Sequence, residues 1–494
     1  MLKRIAHAPV VEADVCLIVE GAYPYVVGGV SGWLQDLIES LPDLRFHILA
    51  IKPNGRPMAW KLTPPANVVG VTETSLTPDR HAPRALPHDM VEEIVTTASL
   101  FLHNGGSDNL LALLTLLHRA GKPPSVNDLL AHPATFALIQ REYAVGFDRS
   151  SFHHFFWASQ ILLGGLLAMC LTPVPPARVY HSISTGFAGL LGACAAIKQQ
   201  RPLFLTEHGI YLLERQIEVL MADWIGEQVA TGLVLQRDTR DLRDLWRQAF
   251  THYAGACYDS CSEIIALYAA NSQVQKRLGA QPDRLRVIPN GIDLQRFEGW
   301  TDARDPQAPL VALLGRVVPI KDIKTFIRAA ALVHAHHPNI CFAILGPCEE
   351  DADYAAECRA LVDELGIGDC LRFAGRVGIA EWLPRIDLLV LTSLSEAQPL
   401  VILEGGVYGI PVVAPDVGSC REMIEGGAAD DRAGGIITPL VNPAATAEAI
   451  VTILTTPGLR EDMGGALRQR VIENYDYDQI IQAYRRLYSN AAQI

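Results

Sequence analysis

Apolar residues in the second half of the chain gather into short, nearly unbroken runs: VALLGR (311–316), ICFAILG (340–346), LRFAGR (371–376), DLLVLTS (387–393), PVVAP (411–415) and GIITPL (435–440). Longer stretches with helical periodicity separate them. Runs without an alternating polar face belong to strands covered on both sides, so the pattern predicts a doubly wound parallel sheet. The first half repeats it with VCLIVE (15–20), FHILAI (46–51), VVGV (68–71), ARVYHSIS (177–184), PLFLTEHG (202–209) and a closing LRVIPNGID (285–293). A glycine turn at Gly28 and Gly29 leads into a helix from about Ser31, and a helix-rich insertion occupies about 77–176.

The polar stretch FEGWTDARDPQAP (297–309) reads as a linker. The expected division is therefore an N-terminal Rossmann-like domain at 1–300, a C-terminal one at 301–474, and a helix at 475–494. That helix carries Tyr477, Ile480, Ile481, Tyr484, Leu487 and Tyr488 on one face. Such a stripe must pack on something, and a return to the first domain is expected. Two open sheets facing each other place a ligand in the cleft at their C-terminal strand edges.

Composition narrows the picture. The chain has 494 residues, 49% of them hydrophobic and 19% charged, which suits two large buried cores rather than disorder. A formal net charge of −13 without a Lys/Arg-rich run argues against nucleic acid. An anion must then be held by a few placed cations and backbone amides. The 10 cysteines lack metal spacing; Cys257 and Cys261 have no second pair to complete a zinc set. Buried reduced thiols, and hence the cytoplasm, are expected, with no metal. The first twenty residues have a basic start but no continuous apolar core, unlike a secretory leader. FFWASQILLGGLLAMCLTPV (155–174) is uncharged and long enough to cross a bilayer. Its polar and glycine interruptions and its lack of a basic flank favour a buried helix instead.

Four motifs carry chemistry. In SEAQPLVILE (395–404) the strand ends near Ser393, and Pro399 suits a first helical turn, so a helix is expected from about Gln398 to Tyr408. Glu396 then lies in the loop before the helix and Glu404 inside it. The amides of Leu400 and Val401 form an anion seat between them. A sugar, a diphosphate and a ribose would match that order. In GRVVPIKD (315–322) Gly315 permits close approach, Arg316 can fork onto phosphate oxygens and Lys321 adds a point charge. Together they could neutralise a diphosphate without a divalent ion. In VEGAYPYVVGGVSGW (19–33) Gly28 and Gly29 stand where a backbone approaches phosphate, although a plain glycine turn reads as well. In TEHGIYLLER (206–215) His208 ends a strand at the cleft, and His181 ends its neighbour. A lone histidine is more often structural, and His181 is the weaker candidate.

Taken in order, these stretches resemble the family-four retaining glycosyltransferases of GT-B fold, and within them the PelF-like group of the Pel exopolysaccharide system. The resemblance implies an α/β GT-B protein that transfers a sugar from a UDP-sugar donor to a growing polysaccharide acceptor with retention at the anomeric carbon. UDP-glucose or a UDP-N-acetylhexosamine would be the donor. It implies that Arg316 and Lys321 hold the diphosphate and that Glu404 binds the ribose. Leu400 and Val401 would offer amides to phosphate, and Arg376 and Val377 would cradle uracil by main chain. Glu396, with Ala397 and Gln398, would face the donor sugar. His208 would stand near the anomeric centre, and Gly28 and Gly29 against the diphosphate. No cofactor beyond the donor is implied. Contact with inner-membrane Pel-type synthase components is implied by family context. One departure is Glu396-Ala397-Gln398-Pro399 in place of the E-G-F-G of many members, so general rules of sugar choice need not transfer. A UDP-sugar epimerase on the same scaffold, and a non-catalytic UDP-binding scaffold, stay open as other classes.

Overall fold

A computed structural model describes residues 12–77, 82–119, 123–148, 150–221, 242–297, 299–426 and 432–492. Part of the stretch on which the leader reading rests, residues 1–11, lies outside the described residues. The chain divides into two compact units. One comprises Met1–Ala266, Asn271–Val287 and Tyr484–Ile494, the other Leu267–Ala270 and Ile288–Ala483.

The first unit is built on a sheet of seven parallel strands: β1 (Ala13–Glu20), β2 (Phe46–Lys52), β3 (Val68–Ser75), β4 (Ala177–Ser182), β5 (Leu203–Glu207), β6 (Cys261–Ala266) and β7 (Leu285–Val287). Their order is β3-β2-β1-β4-β5-β6-β7. The second unit holds six: β8 (Leu310–Leu314), β9 (Cys341–Leu345), β10 (Leu371–Gly375), β11 (Leu388–Val390), β12 (Val412–Pro415) and β13 (Gly435–Thr438), ordered β10-β9-β8-β11-β12-β13. Buried runs such as β5, every residue of which is buried, explain why both sheets are parallel and helix-covered. In each sheet the chain winds outward from a central strand, then crosses back. The reversals fall between β1 and β4 and between β8 and β11, and ligands of open α/β sheets bind at such points.

The insertion after β3 is helical, and its helix Phe152–Leu171 covers most of the apolar twenty-residue stretch. Two-thirds (67%) of that helix's apolar window is buried within the fold. It is the one described helix long and apolar enough to cross a membrane.

The unit boundary is a correction. It falls between Val287 and Ile288, not at residue 300, and the polar stretch read as a linker is packed onto the second unit. Phe297 and Trp300 lie 5.8 and 4.9 Å from the Tyr408 ring. Arg304 donates to the carbonyls of Ile386 (3.0 Å) and Tyr408 (2.9 Å). Polarity marked solvent contact along one side only; three anchors hold the other. The last helix, Tyr477–Ala492, passes from one unit to the other at Ala483–Tyr484. In the first unit, Tyr484 and Tyr488 are buried against His181 and Phe204.

Candidate active site

Strand β8 ends at Leu314, and Gly315 donates to the carbonyl of Leu345 at 2.9 Å. Gly346 continues the edge by donating to Gly375 at 2.8 Å. A Cβ at Gly346 would sit 1.9 Å from the oxygen of Gly315, so this edge of adjoining backbones requires glycine.

Beyond Gly315 the loop turns through Pro319–Lys321. Leu394 donates to Ile320 (2.8 Å) and the Thr392 hydroxyl to the Lys321 carbonyl (2.9 Å). These bonds bring GRVVPIKD and SEAQPLVILE together across the β8/β11 crossover. Lys321 Nζ pairs with Glu396 Oε1, and their side chains are only 24% and 12% exposed. Arg316 is paired as well, with Glu350, in a half-exposed contact. The reading of both cations as held for a diphosphate needs this addition: each already carries a carboxylate.

The Glu396 loop is held from behind. Ser419 donates to the Ala397 carbonyl at 2.9 Å. Gly418 has φ +55°, and a Cβ there would lie 2.1 Å from the Glu396 oxygen. The helix itself is Leu400–Val407, shorter than expected: Pro399 is its N-cap, at φ −73° and ψ 109°. The cause is Gln398. Its side-chain oxygen accepts from the Asn290 amide (2.7 Å) and its nitrogen donates to the Asn290 carbonyl (3.2 Å), with 7% of the residue exposed. Expected to touch the sugar, the Gln398 amide is spent instead on this main-chain clamp. The clamp leaves Asn290 Oδ1 buried without a hydrogen-bond partner among the described residues. Gln398→Ala is therefore expected to cost about 1–3 kcal/mol by orphaning two main-chain groups, a loss that chemical denaturation measures.

Among the described residues, the amides of Leu400 and Val401 donate to no acceptor; the first helical bond at this end runs from Ile402 to Pro399 (3.1 Å). Glu404, more than one turn in, is half-buried. Burial alone pushes its carboxyl above the usual glutamate value, and among the described residues no donor reaches it. Arg376 is exposed just after β10, while Val377 packs on the core.

In the first unit, Gly28 is extended (φ −174°) and caps the helix Gly29–Glu39. A Cβ at Gly28 or Gly29 would meet no atom within 4 Å, so packing inside the unit does not demand glycine there. His208 follows β5. Its ring stands edge-on to Trp33 at 4.6 Å, and its Nε2 is buried without a partner among the described residues. Burial pulls its pKa down to about 4, leaving a neutral imidazole at neutral pH. His181 is structural: Tyr488 Oη lies 2.7 Å from Nδ1 and Thr206 Oγ1 lies 2.9 Å from Nε2. Burial and then the neighbouring His208 lower its pKa to about 3.

Sequence reasoning missed two carboxylates at these strand ends, Glu207 buried and Glu20 half-buried. Glu20 accepts from the Ala188 amide (3.2 Å) and the Tyr211 hydroxyl (3.1 Å). Glu207 accepts from Thr185 (3.0 Å), Tyr258 (2.8 Å) and Gln275 (3.0 Å). Burial raises both carboxyls. Each ends an apolar run, which was the available signal. Asn290, Gly346 and Gly418 gave no comparable one.

Residues 13–283 match the family model described as "Domain of unknown function (DUF3492)", and residues 308–456 the model "Glycosyl transferases group 1". The chain is 30% identical over 223 residues to D-inositol 3-phosphate glycosyltransferase of Kribbella flavida, covering 42% of this chain and 49% of that protein. It is 30% identical over 228 residues to the enzyme of that name from Streptomyces scabiei, covering 43% and 50%. The chain thus spans about half the length of the curated relatives it matches. Its fold is similar to that of Anabaena Alr3699/HepE in complex with UDP and glucose, with TM-score 0.57, 16% identity and 97% and 100% of the two chains covered. Sucrose-phosphate synthase (tll1590) from Thermosynechococcus elongatus is similar too, with TM-score 0.57, 18% identity and coverage of 96% and 99%. The fold is that of the GT-B glycosyltransferases, α/β with two Rossmann-like parallel sheets.

Proposed function

The chain belongs to the DUF3492 family, and from that premise we propose that it is a retaining glycosyltransferase that takes a sugar from a UDP-sugar and extends an exopolysaccharide of the Pel type in the cytoplasm. The observation that carries the reading is Glu404. A carboxylate raised by burial, with no donor among the described residues, stands one turn behind two helix amides that are open among the same residues, on the same chain segment as Glu396 of the Lys321–Glu396 pair. A ribose diol would supply the donors, and a diphosphate would fill the amides. The group-1 match over 308–456 and the UDP in the HepE complex support the same assignment.

In this mechanism the diphosphate exchanges with Glu396 for Lys321 and with Glu350 for Arg316. Freed from its partner, Glu396 turns to the hydroxyls of the donor sugar. Arg376 and Val377 offer main chain to uracil. The acceptor hydroxyl attacks from the face that the nucleotide leaves: its bond to the anomeric carbon forms as the bond to the β-phosphate oxygen breaks. Its proton passes to the departing phosphate. Lys321, Arg316 and the helix amides compensate the charge that develops there, and no metal is needed for it. In the first unit, His208 carries a neutral imidazole at its strand edge, and Gly28 and Gly29 an unhindered main chain. Pel-type synthase components of the inner membrane are the proposed partners of the polymerising complex.

UDP release from a panel of UDP-sugars, including UDP-glucose and UDP-N-acetylhexosamines, tests the reading. Release above background with one of them is expected, and Glu404→Gln should raise KM about tenfold or more. Epimerised UDP-sugar in place of released UDP would replace transferase with epimerase. A silent panel in the face of tight UDP binding would leave a scaffold.

The pH dependence of UDP binding has a definite sign. Only the ionised Glu404 accepts two hydroxyls, so UDP affinity should weaken as pH falls toward its raised pKa, and Glu404→Gln should flatten that slope in calorimetry. The ligand-free fold responds oppositely. Raised carboxyls at Glu404, Glu20 and Glu207 contribute stability that is complete below the ordinary glutamate pKa of 4.5 and lost as pH climbs through their folded values.

A further inference from the structure

Two histidines end neighbouring strands of the first unit, and the structure fixes them by different means. His181 is bonded through both ring nitrogens, to Tyr488 and Thr206. His208 has no hydrogen bond at either nitrogen among the described residues, although its Nε2 is buried. The torsion that turns an imidazole is soft, so an unbonded ring keeps one orientation only where packing imposes it.

Trp33 imposes it. Its ring is the one aromatic contact of His208 among the described residues, edge-on with centroids 4.6 Å apart and planes at 75°. The indole is itself held, with Tyr484 at 5.6 Å and His181 at 6.5 Å. Both of those rings are buried and bonded: the Tyr484 hydroxyl meets Thr206 Oγ1 at 3.2 Å, the same oxygen that bonds His181. Trp33 belongs to the helix Gly29–Glu39, whose buried positions are Ser31, Leu34, Leu37 and Ile38. It lies outside that set and is only partly buried, so the helix does not rely on the indole for its own seat.

We propose that Trp33 is a positioning residue of the reaction: braced by Tyr484, it sets the orientation of the His208 imidazole and shields that ring from water. The inference rests on the transferase reading with His208 as a catalytic residue, and adds what makes that histidine usable. The titratable groups near the imidazole are His181 and Tyr484, which share Trp33, Glu207 on its own strand, and Glu214, whose carboxylate lies against Gly209. Burial, not a charge among them, holds its pKa down at about 4.

The test is a double-mutant cycle on the full chain, read by UDP release with the donor that the panel selects. Trp33→Ala should lower kcat about tenfold or more, with KM for the donor changed less than about twofold. Trp33→Phe, which keeps an aromatic edge, should recover most of that loss. In a His208→Gln background Trp33→Ala should cost less than about twofold more, because the residue acts through the histidine. Proton NMR of the natural chain, with His208→Gln assigning the resonance, gives a readout without donor: in Trp33→Ala the His208 titration should move up toward the ordinary value of 6.5. Should Trp33→Ala lose its circular dichroism spectrum, Trp33→Leu takes its place with the same expectations. Additive losses in the cycle, or an unmoved His208 titration, overturn the inference while leaving the transferase reading in place. A silent panel, or full activity in His208→Gln, ends the reading on which the inference rests.

Discussion

Lys321→Ala is expected to abolish the rise in Tm that UDP produces in the natural chain and to lower kcat/KM about 100- to 1000-fold. Two effects combine. The diphosphate loses its point charge, and Glu396, with a side chain only 12% exposed, loses the cation that balances it. The second effect costs stability even without ligand, about 1–3 kcal/mol for a carboxylate left partly buried and uncompensated. Thermal scans with and without UDP separate them. The double variant Lys321→Ala/Glu396→Ala should regain most of the ligand-free stability and none of the UDP response. An undiminished UDP shift in Lys321→Ala would sink the phosphate assignment.

Gly346→Ala is expected to be as damaging, from a residue without functional groups. Its Cβ would lie 1.9 Å from the Gly315 oxygen and 3.3 Å from the Arg316 amide. Both are backbone, so no flexible side chain can yield. The end of β8 must move away from β9, carrying Arg316 with it. Overpacking of this kind costs about 3 kcal/mol, seen as a clear fall in Tm, with UDP affinity falling in parallel. Gly28→Ala is the contrast. A Cβ there meets nothing within 4 Å and the backbone is extended, so stability should change by less than about 0.5 kcal/mol. Little change in Gly346→Ala would show that the close strand edge does not shape the site.

Much of this site was legible before the fold. Arg316, Lys321 and Glu396 follow strand ends that apolar runs announce, beside the β8/β11 reversal, and Glu404 lies in the helix that follows. The partners of those residues were not legible. Gln398 meets Asn290 across 108 positions of chain, and that contact decides where the helix starts. His181 looked like a second strand-end histidine. Tyr488, 307 positions away, turns it into a packing residue. The linker reading failed for the same reason, since Trp300 and Arg304 find their partners at Tyr408.

The amino-acid sequence by itself determined the two parallel sheets, the helical insertion and the positions of the charged motifs at strand ends. Strand length, burial on both faces and glycine punctuation are properties of neighbouring residues. Only the tertiary structure decided which carboxylate each cation holds, which glycines a backbone presses against, and which buried polar atoms are left without a partner. Those depend on distances between residues far apart in the chain, and local pattern carries no record of them.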